Sequence, residues 1–126
     1  MAHKGWLPAS SGNLSVRNLT DDCLITRVGK DKAELSPQDL VRVDWRDGDI
    51  RIQGHASAEA AMHVALYQRD PHIKAILQTH SPQSTVFSRL ITADFYDVHG
   101  YGMQKALAGI DDHQQPIRLA LLDYPK

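Results

Sequence analysis

Gly5-Trp6-Leu7-Pro8-Ala9-Ser10-Ser11-Gly12-Asn13-Leu14-Ser15-Val16-Arg17 sets small, hydroxyl-bearing and amide residues around a glycine, then runs into an alternating strand. Such a stretch predicts a tight turn whose backbone N–H groups and Ser and Asn side chains close on an anion such as a phosphate ester. Ser-Gly-Asn is equally an ordinary turn between a loop and a strand, so its meaning depends on what surrounds it. Two later stretches bear on it: Ala56-Ser57-Ala58-Glu59 and Gln78-Thr79-His80-Ser81.

Working outward, Asn13 to Arg17 and Cys23 to Arg27 read as short strands joined by a polar turn over Asn18–Asp22. Ser36-Pro37-Gln38-Asp39 is a helix start of one or two turns, with Ser as N-cap, Pro first and an acid in the first turn. Val41 to Trp45 alternates, and Asp47-Gly48 turns it into Ile50-Arg51-Ile52 as a hairpin. Ser57 opens the longest helix, whose apolar stripe Ala61, Val64, Ala65 and Leu66 runs to the Asp70-Pro71 stop. Lys74 to Thr79 is a strand, and Ser81-Pro82 begins a second helix carrying Val86, Phe87, Leu90 and Ile91. A strand near Phe95–Val98, a helix near Met103–Leu107 and a strand near Ile117–Leu122 follow. Strands first, then helix and strand in alternation, predict an α/β sheet with helices packed on it.

The 126 residues fit a single domain, 1–126, with a modest core. Charge is balanced, with 14 Lys and Arg against 15 Asp and Glu, so nothing draws the chain to nucleic acid or to anionic lipid. No apolar run is long enough for a membrane span, and the first residues have no signal-peptide pattern. One cysteine, Cys23, has no intrachain partner, which suits a reducing cytoplasm. Seven histidines invite a metal hypothesis.

Ser57 at a helix start leaves backbone donors pointing outward, and with the helix dipole these favour an anion. Glu59 in the first turn is stabilised there on electrostatic grounds alone, and is also placed to act as a carboxylate toward a bound ligand. Val28-Gly29-Lys30-Asp31-Lys32 is a solvated turn in which Gly29 offers an N–H and Lys30 or Lys32 a charge. His63 follows Glu59 by four residues on one helix face, a spacing that can bind a metal. His99 and His113 fall near helix ends, while His3, His55 and His72 read as loop residues.

The three stretches, in this order, resemble the class II aldolase/adducin family, and within it the branch that dehydrates 5-methylthioribulose 1-phosphate. Tyr67-Gln68, Ala75-Ile76-Leu77, Ser88-Arg89-Leu90 and Gln104-Lys105-Ala106-Leu107-Ala108-Gly109 carry the likeness to that branch. The resemblance implies an α/β/α sandwich on a mixed, mostly antiparallel sheet, covering the front and middle of such a domain without its usual first helix and C-terminal portion. It implies a zinc cofactor, a phosphorylated ketose as substrate, and a homo-oligomer, tetrameric in relatives. The implied activity is dehydration to 2,3-diketo-5-methylthiopentyl 1-phosphate in methionine salvage. A sugar-phosphate aldolase of the fuculose-phosphate type and a non-catalytic adducin-like binding module are the alternatives.

Residue by residue, the resemblance assigns Ser11, Gly12, Asn13, Gly29 and Ser57 to the substrate phosphate, with Ser15 in the same matched stretch. Val28 stands where relatives carry a hydroxyl. Glu59 is the catalytic carboxylate, acting as acid/base in the aldolases and lying by the substrate in the dehydratases. His80 is a metal ligand, Gln78 stands at the usual first histidine of a His-x-His pair, and a third ligand is expected beyond Lys126. Gly102 occupies the usual acid/base position, where glycine offers no proton.

Overall fold

Alternation of small polar and apolar residues from Asn13 makes β1 (Asn13–Leu19), which doubles back as β2 (Asp22–Thr26). The chain is described by a computed structural model over residues 1–121. The turn closes because the Asp22 carboxylate accepts the Leu19 N–H at 2.7 Å and the Asn18 amide at 3.3 Å, across a register shift between Arg17 and Leu19. Burial opposes the charge on Asp22, but the Leu19 N–H, Asn18 and the ion pair with Arg42 outweigh it and hold the carboxyl below its ordinary value.

β2 pairs with β3 (Leu40–Asp44), which forms the expected hairpin with β4 (Arg51–Ile52), and β1 pairs on its other edge with β5 (Ala75–Gln78). The sheet order is β4-β3-β2-β1-β5, and every pairing among the described residues is antiparallel. The start at Ser36 is a single 3-10 turn over Pro37–Asp39. Ser36 donates its N–H at 3.1 Å and its hydroxyl at 2.7 Å to the Asp39 carboxylate, and with Lys30 these bonds hold that carboxyl at a pKa of about 2.

One helix, α1 (Ala60–Arg69), covers one face of this sheet. Its buried residues are Ala60, His63, Val64 and Tyr67, which pack with Cys23, Ile25, Val41, Val43 and Trp45. The stripe expected at Ala61, Val64, Ala65 and Leu66 is corrected: only Val64 of the four is buried. The buried face also takes in two polar side chains, His63 and Tyr67, whose Nδ1 and hydroxyl respectively lie within hydrogen-bond distance of Ser15 Oγ beneath the helix. Arg17 fastens the helix end, donating to the carbonyls of Tyr67 (2.6 Å), Asp70 (3.1 Å), Ile73 (2.9 Å) and Thr20 (2.7 Å). The opposite face carries Leu14, Val16, Leu24, Leu40 and Leu77 around a groove of about 470 Å³.

Residues 1–82 form one compact unit and a second begins at Gln83. The second unit contains the remainder of α2 (Pro82–Leu90), the pair β6 (Phe95–Val98) and β7 (Ile117–Ala120), and a 3-10 helix over Gly102–Ala106. Leu122, placed at the end of the last strand by the sequence, lies outside the described residues. Of the apolar positions expected along α2, Phe87 meets Tyr96 edge to face at 4.7 Å, whereas Val86 and Leu90 are exposed. This unit is held by Gln104, which accepts the Tyr101 N–H at 2.8 Å and donates to the carbonyls of Val98 (3.1 Å) and Gln115 (3.0 Å).

Candidate functional site

The opening turn folds on itself before it can meet a ligand. Ser11 gives both its N–H (3.0 Å) and its hydroxyl (2.6 Å) to the Pro8 carbonyl, so its donors serve the turn and its hydroxyl oxygen is left as an acceptor. Gly12 has φ +75°, and a Cβ there would stand 2.5 Å from Leu7 Cδ2 and 2.7 Å from the Gln78 carbonyl oxygen. Glycine is therefore demanded twice, by backbone conformation and by the strand running alongside. Ser15 is corrected: it does not face the turn but points under α1, bonded to His63 and Tyr67.

Asn13 is the centre of the site. It pairs with Gln78 across β1 and β5, so the strand register itself sets these two side chains side by side. Thr26 donates to Asn13 Oδ1 at 3.3 Å, which fixes the amide with its nitrogen turned the other way. That nitrogen lies 3.1 Å from Ser57 Oγ, 3.1 Å from Glu59 Oε2 and 3.2 Å from Gln78 Oε1. Two amide hydrogens thus face three oxygens drawn from three separate residues. Ser57 does not cap the helix as its N-cap, which is Glu59; its hydroxyl accepts the Glu59 N–H at 3.4 Å, ahead of the helix.

The loop after β2 joins the same end of the sheet. Val28 donates to the His55 carbonyl at 3.2 Å and Arg27 bridges Ala56, placing residues 27–32 beside the Ser57 stretch. Gly29 is exposed at φ +74°, and Val28 before it is an exposed apolar side chain with no hydrogen-bonding group. The two lysines diverge. Lys30 pairs with Asp39 at 3.1 Å, whereas Lys32 is buried and donates to the carbonyls of Ser10 (2.7 Å) and Lys30 (2.9 Å).

Behind Glu59, His63 is fully buried, its Nδ1 2.7 Å from Ser15 Oγ, which lies 2.8 Å from the Tyr67 hydroxyl. Its Nε2 is buried without a hydrogen-bond partner; Gln78 approaches it without closing a bond of good geometry. Burial holds the imidazole below its ordinary pKa, against the opposing pull of Glu59 and Gln78. The Glu59-x-x-x-His63 spacing was visible in the sequence, but the strand partner Ser15 that sequesters the ring was not.

These residues do not fit a zinc ion. A catalytic zinc takes three strong protein donors, and no three of His, Cys, Asp and Glu converge among the described residues. The point where oxygens do converge is filled by an N–H donor, Asn13 Nδ2, and the Gln78 oxygen already accepts from it. His80 is exposed, its backbone N–H held by the Trp6 carbonyl at 2.8 Å. Gly102 lies in the second unit at the start of its 3-10 helix, with nothing within 4 Å of a Cβ built there.

The family model for the class II aldolase and adducin N-terminal domain matches residues 1–121. The chain belongs to the class II aldolase and adducin family. It is similar to the methylthioribulose-1-phosphate dehydratase of Pectobacterium atrosepticum, 42% identical over 98% of this chain and 60% of the relative. That of Sodalis glossinidius is 39% identical over 95% and 60%. Among solved structures, the l-fuculose-1-phosphate aldolase of Thermus thermophilus superposes with a TM-score of 0.67 at 28% identity, covering 82% of this chain and 50% of that one. The chain therefore spans about 60% of the length of the curated relatives it matches, and the antiparallel sheet with its packed helix is a class II aldolase fold.

Proposed function

We propose that this class II aldolase chain binds a phosphorylated ketose at the Asn13 end of the sheet, and that the activity it serves is dehydration of 5-methylthioribulose 1-phosphate. The observation that carries this is the convergence of Ser57, Glu59 and Gln78 on the Asn13 amide, which gathers the three motif stretches into one polar site. Relatives named as methylthioribulose-1-phosphate dehydratases along nearly the whole chain support the substrate.

In that reaction a base removes the proton beside the ketose carbonyl, the neighbouring hydroxyl departs as water, and the enol tautomerises to the 2,3-diketone. The Gly12–Asn13 turn, Gly29 and Ser57 hold the phosphate and so fix the reacting carbons in place. Glu59 is the carboxylate at this site, and the Asn13 amide donates to it at 3.1 Å and so holds it in place. No step is assigned to zinc, since the donors around Gln78 do not suit one. Gly102 supplies no acid/base group. Both facts favour a second reading, a ligand-binding module of adducin type that retains the phosphate half of the site. A homo-oligomer suits the apolar groove on the open sheet face, and a cytoplasmic setting suits the single buried Cys23. No helix among the described residues is long and apolar enough to cross a membrane.

Phosphorus NMR of the purified chain with 5-methylthioribulose 1-phosphate tests this directly. Line broadening with conversion to the diketo phosphate supports the dehydratase. Broadening without conversion, abolished by Asn13→Leu, supports the binding module, and no broadening sinks both. Release of a phosphorylated three-carbon fragment instead points to aldolase chemistry.

A further inference from the structure

The phosphate reading leaves a charge unaccounted for. A phosphate monoester carries nearly two negative charges at neutral pH, and it would arrive beside the Glu59 carboxylate. Asn13, Gly12, Gly29 and Ser57 bring no positive charge, and Val28 brings no hydroxyl. Of the two lysines in the adjoining loop, Lys30 is neutralised by Asp39. Lys32 is different. It is 7% exposed, and forms no ion pair among the described residues. Two of its three ammonium protons go to the Ser10 and Lys30 carbonyls, and the third has no acceptor among the described residues. Those carbonyls belong to the two loops assigned to phosphate, so the ammonium sits where they meet.

We propose that Lys32 is the fixed positive charge of the phosphate site, holding the Ser10–Asn13 turn and the Gly29 loop together and giving its third proton to a phosphate oxygen. The proposal rests on the phosphorylated-ketose reading and adds the residue that makes a dianion tolerable next to Glu59. A buried cation with two neutral acceptors is a costly arrangement on its own, because carbonyls do not offset its lost hydration as a carboxylate would. Burial lowers the Lys32 pKa, while Asp31 and Glu59 act in the opposite sense. An arriving phosphate acts in the same sense as those carboxylates, through a charge-assisted bond in a poorly solvated place.

The first test needs no mutation beyond one for assignment. Side-chain NMR of lysine-labelled full chain is recorded against pH, with and without inorganic phosphate, the Lys32 signal being identified by its absence in Lys32→Arg. Phosphate is expected to raise the Lys32 titration midpoint and leave Lys30 unmoved. In binding titrations with inorganic phosphate, Lys32→Met is expected to weaken affinity about ten- to hundredfold, with Lys32→Arg recovering most of it and Lys30→Met within about twofold of wild type. If phosphate shifts the Gly12 and Asn13 amide signals while the Lys32 titration stays put, the Lys32 assignment is overturned and the phosphate site survives. Wild-type Gly12 and Asn13 signals that ignore phosphate overturn the site and this assignment with it.

Discussion

Asn13, Gly12 and His63 are where single residues decide the behaviour of this protein. Gly12→Ala places a methyl against the Gln78 carbonyl in a backbone conformation that alanine resists. It is expected to cost roughly 2 to 4 kcal/mol by urea unfolding. Gly29→Ala meets no neighbour within 4 Å and carries only the backbone strain, about 1 kcal/mol. His63 sets a pH dependence. Its folded pKa lies below the ordinary 6.5, so as pH falls past that value the unfolded chain takes up a proton that the folded one refuses. Stability therefore falls with acidification from about pH 6.5 downward, and rises to a plateau above it. His63→Gln is expected to flatten the pH 5–7 part of the thermal midpoint profile; an unchanged slope would show that another group is responsible. A second acid loss belongs to Asp39, whose lowered pKa contributes stability that vanishes between about pH 4 and pH 2.

Among the elements, α1 depends on a residue outside it. Arg17 on β1 reaches four carbonyls, two of them in or just beyond the last turn of the helix, and its guanidinium lies 4.7 Å from the Tyr67 ring. Arg17→Met is expected to lose roughly 2 to 4 kcal/mol, and Arg17→Lys to recover little, because an ammonium cannot span the fork. Denaturant unfolding followed by circular dichroism measures both, and a Lys variant as stable as wild type would reduce Arg17 to a point charge. The 3-10 helix at Gly102–Ala106 has room at its first residue, so Gly102→Glu is expected to leave the thermal midpoint unchanged or slightly raised. That variant returns a carboxylate to the position where the resemblance places an acid/base, and a gain in conversion to diketo phosphate would favour the dehydratase over the binding module.

At the scale of the molecule, the core is built from β2, β3 and α1, and Cys23 lies in it at 1% exposure. Burial pushes its thiol up to about 11, so the reactive thiolate is scarce and inaccessible together. Native protein at pH 8 is expected to label with a thiol reagent only as fast as it unfolds, and to yield one thiol per chain in denaturant. Rapid native labelling would mean that the sheet and α1 part locally well below the global unfolding free energy.

Strand alternation, the Asp47-Gly48 hairpin, the Ser36-Pro37 start and the Ser11-Gly12-Asn13 turn were legible in the chain because each is governed by neighbours a few residues apart. The three motif stretches were legible as well, and so was the presence of Gln78 and Gly102 where the resemblance places a histidine and an acid/base. Which side chains meet was decided only in three dimensions. The antiparallel pairing of β1 with β5 set Asn13 against Gln78 over 65 residues of sequence, and put Ser15 beneath His63 rather than toward a ligand. The same packing paired Lys30 with Asp39 and left Lys32 buried on two backbone carbonyls with no ion pair among the described residues, a difference the motif Gly29-Lys30-Asp31-Lys32 does not contain. Local propensity and spacing determine the elements, whereas burial and long-range register determine which polar groups meet one another.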